Sequence, residues 1–354
     1  MTTRATASLL GMLLFGCADA LPCYPPSHFA PPAGAPYRAE EVRIATPDGH
    51  VLAGTLTLST RGEPPFPAVV LISGAHAQNR DHMQSNREPV RRYRPFRQIA
   101  DALSRRGIAV LRLDDRGVGC SGGGPLLEAT KVERADDTRA GLAWLRGREE
   151  MDPQRLGLLG ISEGADIALI IAADDEAVAA IVLMAASGAR GWQIIESQQR
   201  VLIENDMLTD EERARLDSGA DIDELLEERM NGILRPAARG AWGRWWQHAL
   251  IWDPLPVARR VTSPVLILHG ANDTNVPVDQ AEPLAAAIRA GGNNDVTVRI
   301  LPGHNHLFLE DPDGFFRRYG DLLAHTNQLS DDVLRLIADW LVEELAGAGG
   351  QQRH

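Results

Sequence analysis

The chain carries, at residues 155–173, the segment RLGLLGISEGADIALIIAA. Its first half is an apolar run typical of a buried strand, and its second half has the pattern of a helix. Ser162 lies at the junction between Gly160 and Gly164, which let strand and helix approach closely while the serine Oγ projects from a tight turn. The backbone N–H of Glu163, at the helix start, is placed to donate to an oxyanion. The segment predicts that Ser162 is the nucleophile of an acyl-transfer reaction.

A second copy of the G-x-S-x-G pattern lies at residues 119–123, GCSGG. Because so short a pattern arises by composition alone, the context has to separate the two copies. Ser121 runs into glycines and a proline, which cannot open a helix. We interpret Ser121 as a flexible loop serine and keep Ser162 as the nucleophile.

Apolar runs alternate with helical patterns along the rest of the chain. Strands are predicted at residues 42–46, 51–58, 68–73, 108–113, 155–161, 180–185, 264–269 and 296–301, and helices at 95–106, 133–148, 163–173, 279–290 and 331–346. This alternation predicts an α/β fold with a mostly parallel, eight-stranded sheet, helices on both faces and an early antiparallel pair. The rhythm breaks at residues 188–260, where we expect an inserted helical cap within a domain spanning 41–346.

Two later strand exits carry the other side chains that acyl transfer needs. Asp273 follows the strand that ends at His269, and both His304 and His306 follow the last strand. Since the carboxyl ends of parallel strands meet at one edge of a sheet, these groups are expected near Ser162. The order serine, acid, histidine predicts a triad of Ser162 and Asp273 with one of the two later histidines. We expect His269 itself to be a packed core histidine.

The chain resembles the α/β-hydrolase superfamily, and within it the bacterial acyl-esterase and serine-aminopeptidase-like branch. The resemblance lies in LISGAHAQNRD (71–81), LRLDDRGVGCSGG (111–123), LLGISEGA (158–165), PVLILHGANDTNVP (264–277) and LPGHNHLF (301–308). Departures from the family pattern are Ile161, Ala165 and Cys120, where relatives often carry His, Gly and Lys.

The resemblance implies roles for several further residues. The catalytic histidine of the family precedes Leu-Phe, which favours His306 over His304, and the second oxyanion donor is the N–H of Ala75. A loop at Arg116 braces the nucleophile turn, and we expect Asp114 and Asp115 to fix that loop. The implied activity is hydrolysis of a small-molecule carboxylic ester. A peptidase or amidase, a thioesterase, and a non-catalytic envelope lipoprotein are the alternatives.

Lesser candidates lie around the predicted site. His76 and His82 are close to the oxyanion segment, where substrate contact and a surface role are both open. Trp245 and Trp246 in the cap either line an acyl pocket or pack cap helices against the body. No His/Cys cluster has metal-ligand spacing and no phosphate-binding glycine loop occurs in the sequence, so no metal or cofactor is expected.

Charge and the N-terminus bear on partners and location. The net charge of -12 argues against a nucleic-acid partner. Residues 1–16 read as a signal peptide, and LFGC (14–17) resembles a lipobox, which predicts lipidation of Cys17 and a membrane anchor in the periplasm or outer membrane. A plain secreted signal is the rival.

The two ends of the mature chain and its cysteines complete the sequence-based expectations. Residues 17–40, with YPPSHFAPPAGAP at 24–36, are predicted as an extended proline-rich linker, and residues 347–354 as a flexible tail. Export permits a bond between Cys23 and Cys120, although we expect both to be unpaired.

Overall fold

The protein is built on one twisted sheet. The computed structural model describes residues 21–240 and 242–347. The strands are β1 (Tyr37–Ala45), β2 (Val51–Ser59), β3 (Phe66–Ile72), β4 (Ala109–Leu113), β5 (Met151–Ile161), β6 (Ala180–Met184), β7 (Val265–Gly270) and β8 (Val296–Leu301). They form an eight-stranded sheet in the order β1-β2-β4-β3-β5-β6-β7-β8. β1 pairs antiparallel with β2 and β2 antiparallel with β4, and the other pairs are parallel, which confirms the predicted fold class.

Helices cover both faces because the inner strands are apolar on both sides. On one face lie α1 (Pro95–Ser104) and α11 (Asp331–Gly347), and on the other α2 (Lys131–Arg146), α3 (Glu163–Asp174) and α9 (Ala281–Ala290). α10 (Tyr319–His325) precedes α11. Because β3, β5, β7 and β8 are parallel, their carboxyl ends lie at the same edge of the sheet, and the predicted site residues follow them there.

Between β6 and β7 the chain leaves the sheet as a helical insertion. It comprises α4 (Gly191–Glu204), α5 (Asp210–Asp217), α6 (Ile222–Ala238), α7 (Arg244–Ile251) and α8 (Leu255–Ala258). Apolar side chains of α4, α6 and α7 form a cluster of their own, so this insertion has a small core as well as a face turned to the body. None of the described helices is long and apolar enough to span a membrane.

The proline-rich segment is not the extended spacer that the sequence suggests. Pro26–Phe29 forms a turn of 3-10 helix, and Phe29 is buried beneath the Arg80 guanidinium, 4.3 Å from its ring centroid. Arg97 donates hydrogen bonds to the carbonyl oxygens of His28 and Ala30, at 2.9 and 2.8 Å. β1 begins at Tyr37, so the predicted boundary at residue 40 falls inside a strand. Arg97 thus satisfies two carbonyls of this segment and Arg80 covers its buried ring, which holds the segment on the body.

Cys23 and Cys120 form a disulfide, with Cα atoms 4.5 Å apart, and the expectation of unpaired thiols is wrong. Docking of the N-terminal segment explains the pairing, since nearby Leu21 packs with Met83 and Val118 of the body. The predicted signal peptide, the predicted lipidation site Cys17 and residues 348–354 of the predicted tail lie outside the described residues, while α11 extends to Gly347.

Candidate active site

Ser162 occupies the strained turn that its sequence context predicts. It joins β5 to α3 with φ 55° and ψ -120°, a conformation that non-glycine residues adopt rarely and mostly at functional sites. A Cβ on Gly160 would lie 2.1 Å from the Gly164 carbonyl oxygen, and one on Gly164 would lie 2.2 Å from the Ile72 oxygen. Both glycines are therefore needed for the turn, and the Ser162 N–H donates to Met184 O of the neighbouring strand β6 at 2.8 Å.

Asp273 and His306 form a buried pair in the loops after β7 and β8. Nδ1 of His306 lies 2.8 Å from Oδ2 of Asp273, while Oδ1 of Asp273 accepts from the N–H groups of Asn275 and Val276. Burial acts to raise the pKa of the Asp273 carboxyl, but the charge and hydrogen bonds of His306 and His269 outweigh it and hold the pKa at about 2. Asp273 is thus a carboxylate paired with Nδ1 of His306, and Ser162 and His306 line the same cavity.

The competing residues are engaged elsewhere. His304 places Nδ1 2.9 Å from the Pro302 oxygen and Nε2 3.2 Å from Ser330 Oγ, so the acid pairs with His306 and not with His304. Ser121 is not the flexible residue that we expected, because its Oγ accepts from the Ala53 N–H and donates to the Asp114 carbonyl oxygen. His269 is fully buried, with Nε2 2.8 Å from the Val276 oxygen, as predicted for a core histidine.

The predicted oxyanion segment lies against the nucleophile. A Cβ on Gly74 would be only 3.4 Å from Ser162 Cβ, and Ala75 lines the cavity beside Glu163. Arg134 donates to the carbonyl oxygens of Ser73 and Gly74, at 3.2 and 3.0 Å. The buried Arg134 guanidinium thus holds this segment in place.

The Asp115 side chain braces that segment. It accepts from Ser73 Oγ and, at 3.0 Å, from the Gln78 N–H, and burial raises the pKa of its carboxyl to about 6. Asp114 steadies the Arg116 loop through the Cys120 N–H at 3.2 Å, as well as pairing with Arg80. Among the described residues, Asp115 contributes to the same loop only through its carbonyl oxygen, which accepts from the Val118 N–H at 3.0 Å.

The Glu163 side chain makes contacts that the sequence analysis did not predict. Its carboxylate oxygens each lie 2.9 Å from Nε1 of Trp245 in the cap, and Oε2 lies 3.3 Å from Arg134. The residue predicted to offer an oxyanion N–H therefore also ties the cap to the nucleophile turn. An acid at a helix start is ordinary, so only the later tryptophan could have signalled this contact.

The cavity over Ser162 offers about 190 Å³ to the centre of a water molecule and is open to solvent. Trp245 and Trp246 line it and also belong to the cap's apolar cluster, so both interpretations of these rings apply at once. His76 lines it too, as does His82, whose φ is 63°. Burial, together with the charge of His306, lowers the pKa of His82 to about 3, which keeps its ring neutral.

Lys131 and Asp166 form a charged pair on the cavity wall that the sequence analysis missed. They are 35 residues apart and both stand in first turns of helices, where charged residues are common, so no local signal marks them.

Elsewhere, Asp48, His50 and Asp137 bring ligand atoms within 4.8 Å of one another. Arg116 pairs with both of these acids, so the cluster is already charge-compensated and has the character of an ion-pair network.

Comparison with known proteins places the chain in a family. Residues 48–309 match the family model described as X-Pro dipeptidyl-peptidase (S15 family). Esterase EstD of Thermotoga maritima is 26% identical over 260 residues, which are 73% of this chain and 58% of that protein. Thiohydrolase aneE of Aspergillus aculeatus is 31% identical over 142 residues, 40% of each chain. The chain thus spans about half the length of these curated relatives.

A solved structure agrees at the level of the fold. Esterase PF2001 of Pyrococcus furiosus, at 16% identity, superimposes with a TM-score of 0.57 over 93% of this chain and 99% of that one. Because the family match covers well over half of the sequence, the chain belongs to the X-Pro dipeptidyl-peptidase (S15) family, and it has the α/β-hydrolase fold.

Proposed function

We propose that this protein cleaves carboxylic esters through a Ser162–His306–Asp273 triad. The observation that carries the proposal is the buried hydrogen bond between Asp273 and His306 beside a serine held in a left-handed turn. A carboxylate on Nδ1 fixes the imidazole tautomer that presents Nε2 to the serine hydroxyl. The strained turn projects that hydroxyl into the cavity.

The proposed cycle has two acyl-transfer steps. His306 takes the Ser162 proton as Oγ attacks the ester carbonyl, and the N–H groups of Ala75 and Glu163 stabilise the oxyanion by about 3 kcal/mol each. His306 then gives its proton to the leaving alcohol. A water molecule, deprotonated by the same imidazole, hydrolyses the acyl-enzyme and restores Ser162.

A peptidase that cleaves amides is the second candidate function, and the S15 family description favours it. The triad supports either leaving group, because it is the acyl carbonyl and not the alcohol or amine that Ser162 attacks. Ester hydrolysis is preferred since the cavity is walled largely by apolar side chains, and since the chain is similar to an esterase over most of its length. A thioester would be cleaved by the same steps.

Two assays test this function. A fluorophosphonate probe should label wild type and Ser121→Ala but not Ser162→Ala, with the adduct mapped to the Ser162 peptide. A panel of 4-nitrophenyl esters and aminoacyl-proline 4-nitroanilides then compares ester and amide cleavage. A higher kcat/KM on the anilides would replace the esterase proposal by the peptidase one, and a probe adduct on Ser121 would overturn the triad.

We propose further that the protein is exported and anchored through a lipidated Cys17. The lipobox-like LFGC supports this, and the Cys23–Cys120 disulfide suits an oxidising compartment. Because the chain is docked from Leu21 onward, only the few residues after Cys17 would separate the body from the membrane, a reach of about 14 Å. Cys17→Ser should release active protein from the membrane fraction, and intact Met1 in the mature protein would refute export.

A further inference from the structure

The cavity has one polar wall under the cap. Nζ of Lys131 lies 2.6 Å from Oδ2 of Asp166, and the two side chains are 7% and 6% exposed. The same ammonium stands 5.2 Å from the centroid of the Trp252 indole. All three residues line the cavity, so a group bound there would touch them.

This wall has hydrogen-bonding capacity that the protein does not use. Oδ1 of Asp166 and Nε1 of Trp252 are buried and make no hydrogen bond of normal geometry among the described residues, although the indole N–H lies close enough to the carboxyl to lower its pKa. The Lys131 ammonium has three N–H donors, and the described contacts use one of them, on Asp166. Burial raises the pKa of Asp166, while Lys131 and the nearby Trp252 indole act against that rise. A buried polar atom without a partner costs free energy, and a ligand that supplied the partner would recover it.

The cations around the wall are paired with acids. Lys131 pairs with Asp166, and Arg134 is shared between the Glu163 carboxylate at 3.3 Å and the Asp115 carboxylate at 3.5 Å. A ligand with a full charge would have to break one of these buried pairs to gain a counter-ion, which is unfavourable. Unused hydrogen-bonding capacity among charges that are already paired suits an uncharged group that both donates and accepts, namely an amide or a hydroxyl.

The position of the wall indicates which part of an ester would reach it. Asp166 is four residues beyond Ser162 in the chain, about 6 Å along the axis of α3. His306, which must protonate the leaving alcohol, comes from the loop after the edge strand β8, whereas α2 and α3 cover β3 and β5. The alcohol therefore leaves on the β8 side, and the acyl chain extends toward Lys131.

We propose that the acyl pocket recognises an acyl group that carries an uncharged amide or hydroxyl a few atoms from the scissile carbonyl, bound by Lys131, Asp166 and Trp252. This inference rests on the proposed ester hydrolysis. It narrows the substrate class from alkyl esters to esters of acids with a polar, uncharged substituent.

The test compares two esters of nearly equal length, 4-nitrophenyl 4-acetamidobutyrate and 4-nitrophenyl heptanoate. We expect the kcat/KM value for the acetamidobutyrate, divided by that for the heptanoate, to be about ten-fold higher in wild type than in Lys131→Met/Asp166→Leu. About ten-fold is the effect of one buried hydrogen bond. Replacing a buried ion pair by apolar residues is often neutral for folding, so the double variant should stay folded. The matched control is Arg229→Met/Glu212→Leu, which removes a buried pair of the cap away from the cavity and should keep the wild-type ratio.

Each result decides between named alternatives. An unchanged ratio in the wall variant, or an equal loss on both esters with an intact melting temperature, overturns the proposed subsite. Hydrolysis of the heptanoate reports separately on the proposed function. If wild type cleaves neither ester, the methyl esters of the same two acids are titrated into Ser162→Ala, and their binding is monitored by tryptophan fluorescence. This titration still tests whether the polar wall binds the acyl group. The subsite requires about ten-fold tighter binding of the acetamido ester, and equal affinities overturn it.

Discussion

Removal of the disulfide should destabilise the protein without changing its catalysis. In Cys23→Ser/Cys120→Ser, two serines replace a bond between residues separated by 97 positions. The bond restricts the unfolded chain far more than the folded one, because the N-terminal segment also docks through Phe29 and Arg97.

The magnitude follows from the length of the closed loop. Chain-entropy arguments give about 4.7 kcal/mol for a loop of about 100 residues, and measured losses are typically about 2–4 kcal/mol. The free energy of unfolding should therefore fall by about 2–5 kcal/mol, while kcat/KM on a soluble ester stays within about two-fold, since neither cysteine lines the cavity.

Equilibrium urea unfolding of wild type, with and without reductant, and of the double variant measures this effect. Reduced wild type and the double variant should have the same midpoint, which shows that the bond and not the substitutions is responsible. Titration of thiols under denaturing, non-reducing conditions checks the pairing directly. Two reactive thiols from Cys23 and Cys120, or an unfolding free energy unchanged by reduction, would refute the argument.

Three further predictions concern the cavity. His306→Ala should lower kcat on an ester by about 10⁴-fold or more, whereas His304→Ala should lower it less than about ten-fold; stopped-flow or steady-state rates that rank them in reverse would move the base. Trp246→Ala should both lose about 3–5 kcal/mol of stability and shift the acyl-chain preference, because this ring packs the cap and lines the cavity; a change in stability alone would assign it to packing. His82 has a folded-state pKa of about 3 against an ordinary 6.5, so its neutral form contributes stability that is complete above pH 6.5 and is lost as the pH falls toward 3. Between those pH values, the free energy of unfolding should therefore rise less steeply with pH in His82→Phe than in wild type, by up to about 1.4 kcal/mol per pH unit. Equal slopes would contradict the buried neutral ring.

Local chemistry explains why so much of the fold is predictable from sequence. The turn at Ser162 needs two glycines within a few residues of each other, and the carbonyl oxygens that a Cβ would strike are those of Gly164 in its own helix and of Ile72 in the neighbouring strand β3. Buried strands have continuous apolar runs, and all eight strands were predicted, although β1 begins at Tyr37 rather than at residue 42 and β5 at Met151 rather than at residue 155. Asp273 and the two histidines of the last loop could be predicted to lie together because strand exits converge on one edge, whereas the preference for His306 over His304 came from the family resemblance.

What the sequence did not reveal depends on how separate elements dock. Glu163 and Trp245 are 82 residues apart, and their contact exists only because α7 folds back over the start of α3. The proline-rich segment has a linker's composition, yet a single apolar residue, Phe29, and the reach of Arg97 are enough to dock it. Composition describes a segment's own tendencies and omits the partners that a tertiary fold supplies.

The Glu163 contact also bears on whether the cap opens during turnover. The Glu163 carboxylate is buried. It pairs with Arg134 of the body and accepts a hydrogen bond from the indole N–H of Trp245 in the cap. Lifting α7 would break a hydrogen bond to a charged group, which stabilises by about 1.5–3 kcal/mol, and would leave the carboxylate under-satisfied beside Ser162. Since the same residue supplies the proposed oxyanion N–H, such a movement would also disturb the donor geometry. A cap that stays closed over α3, with substrate entering through the open mouth of the cavity, is the arrangement that keeps both functions of Glu163 intact.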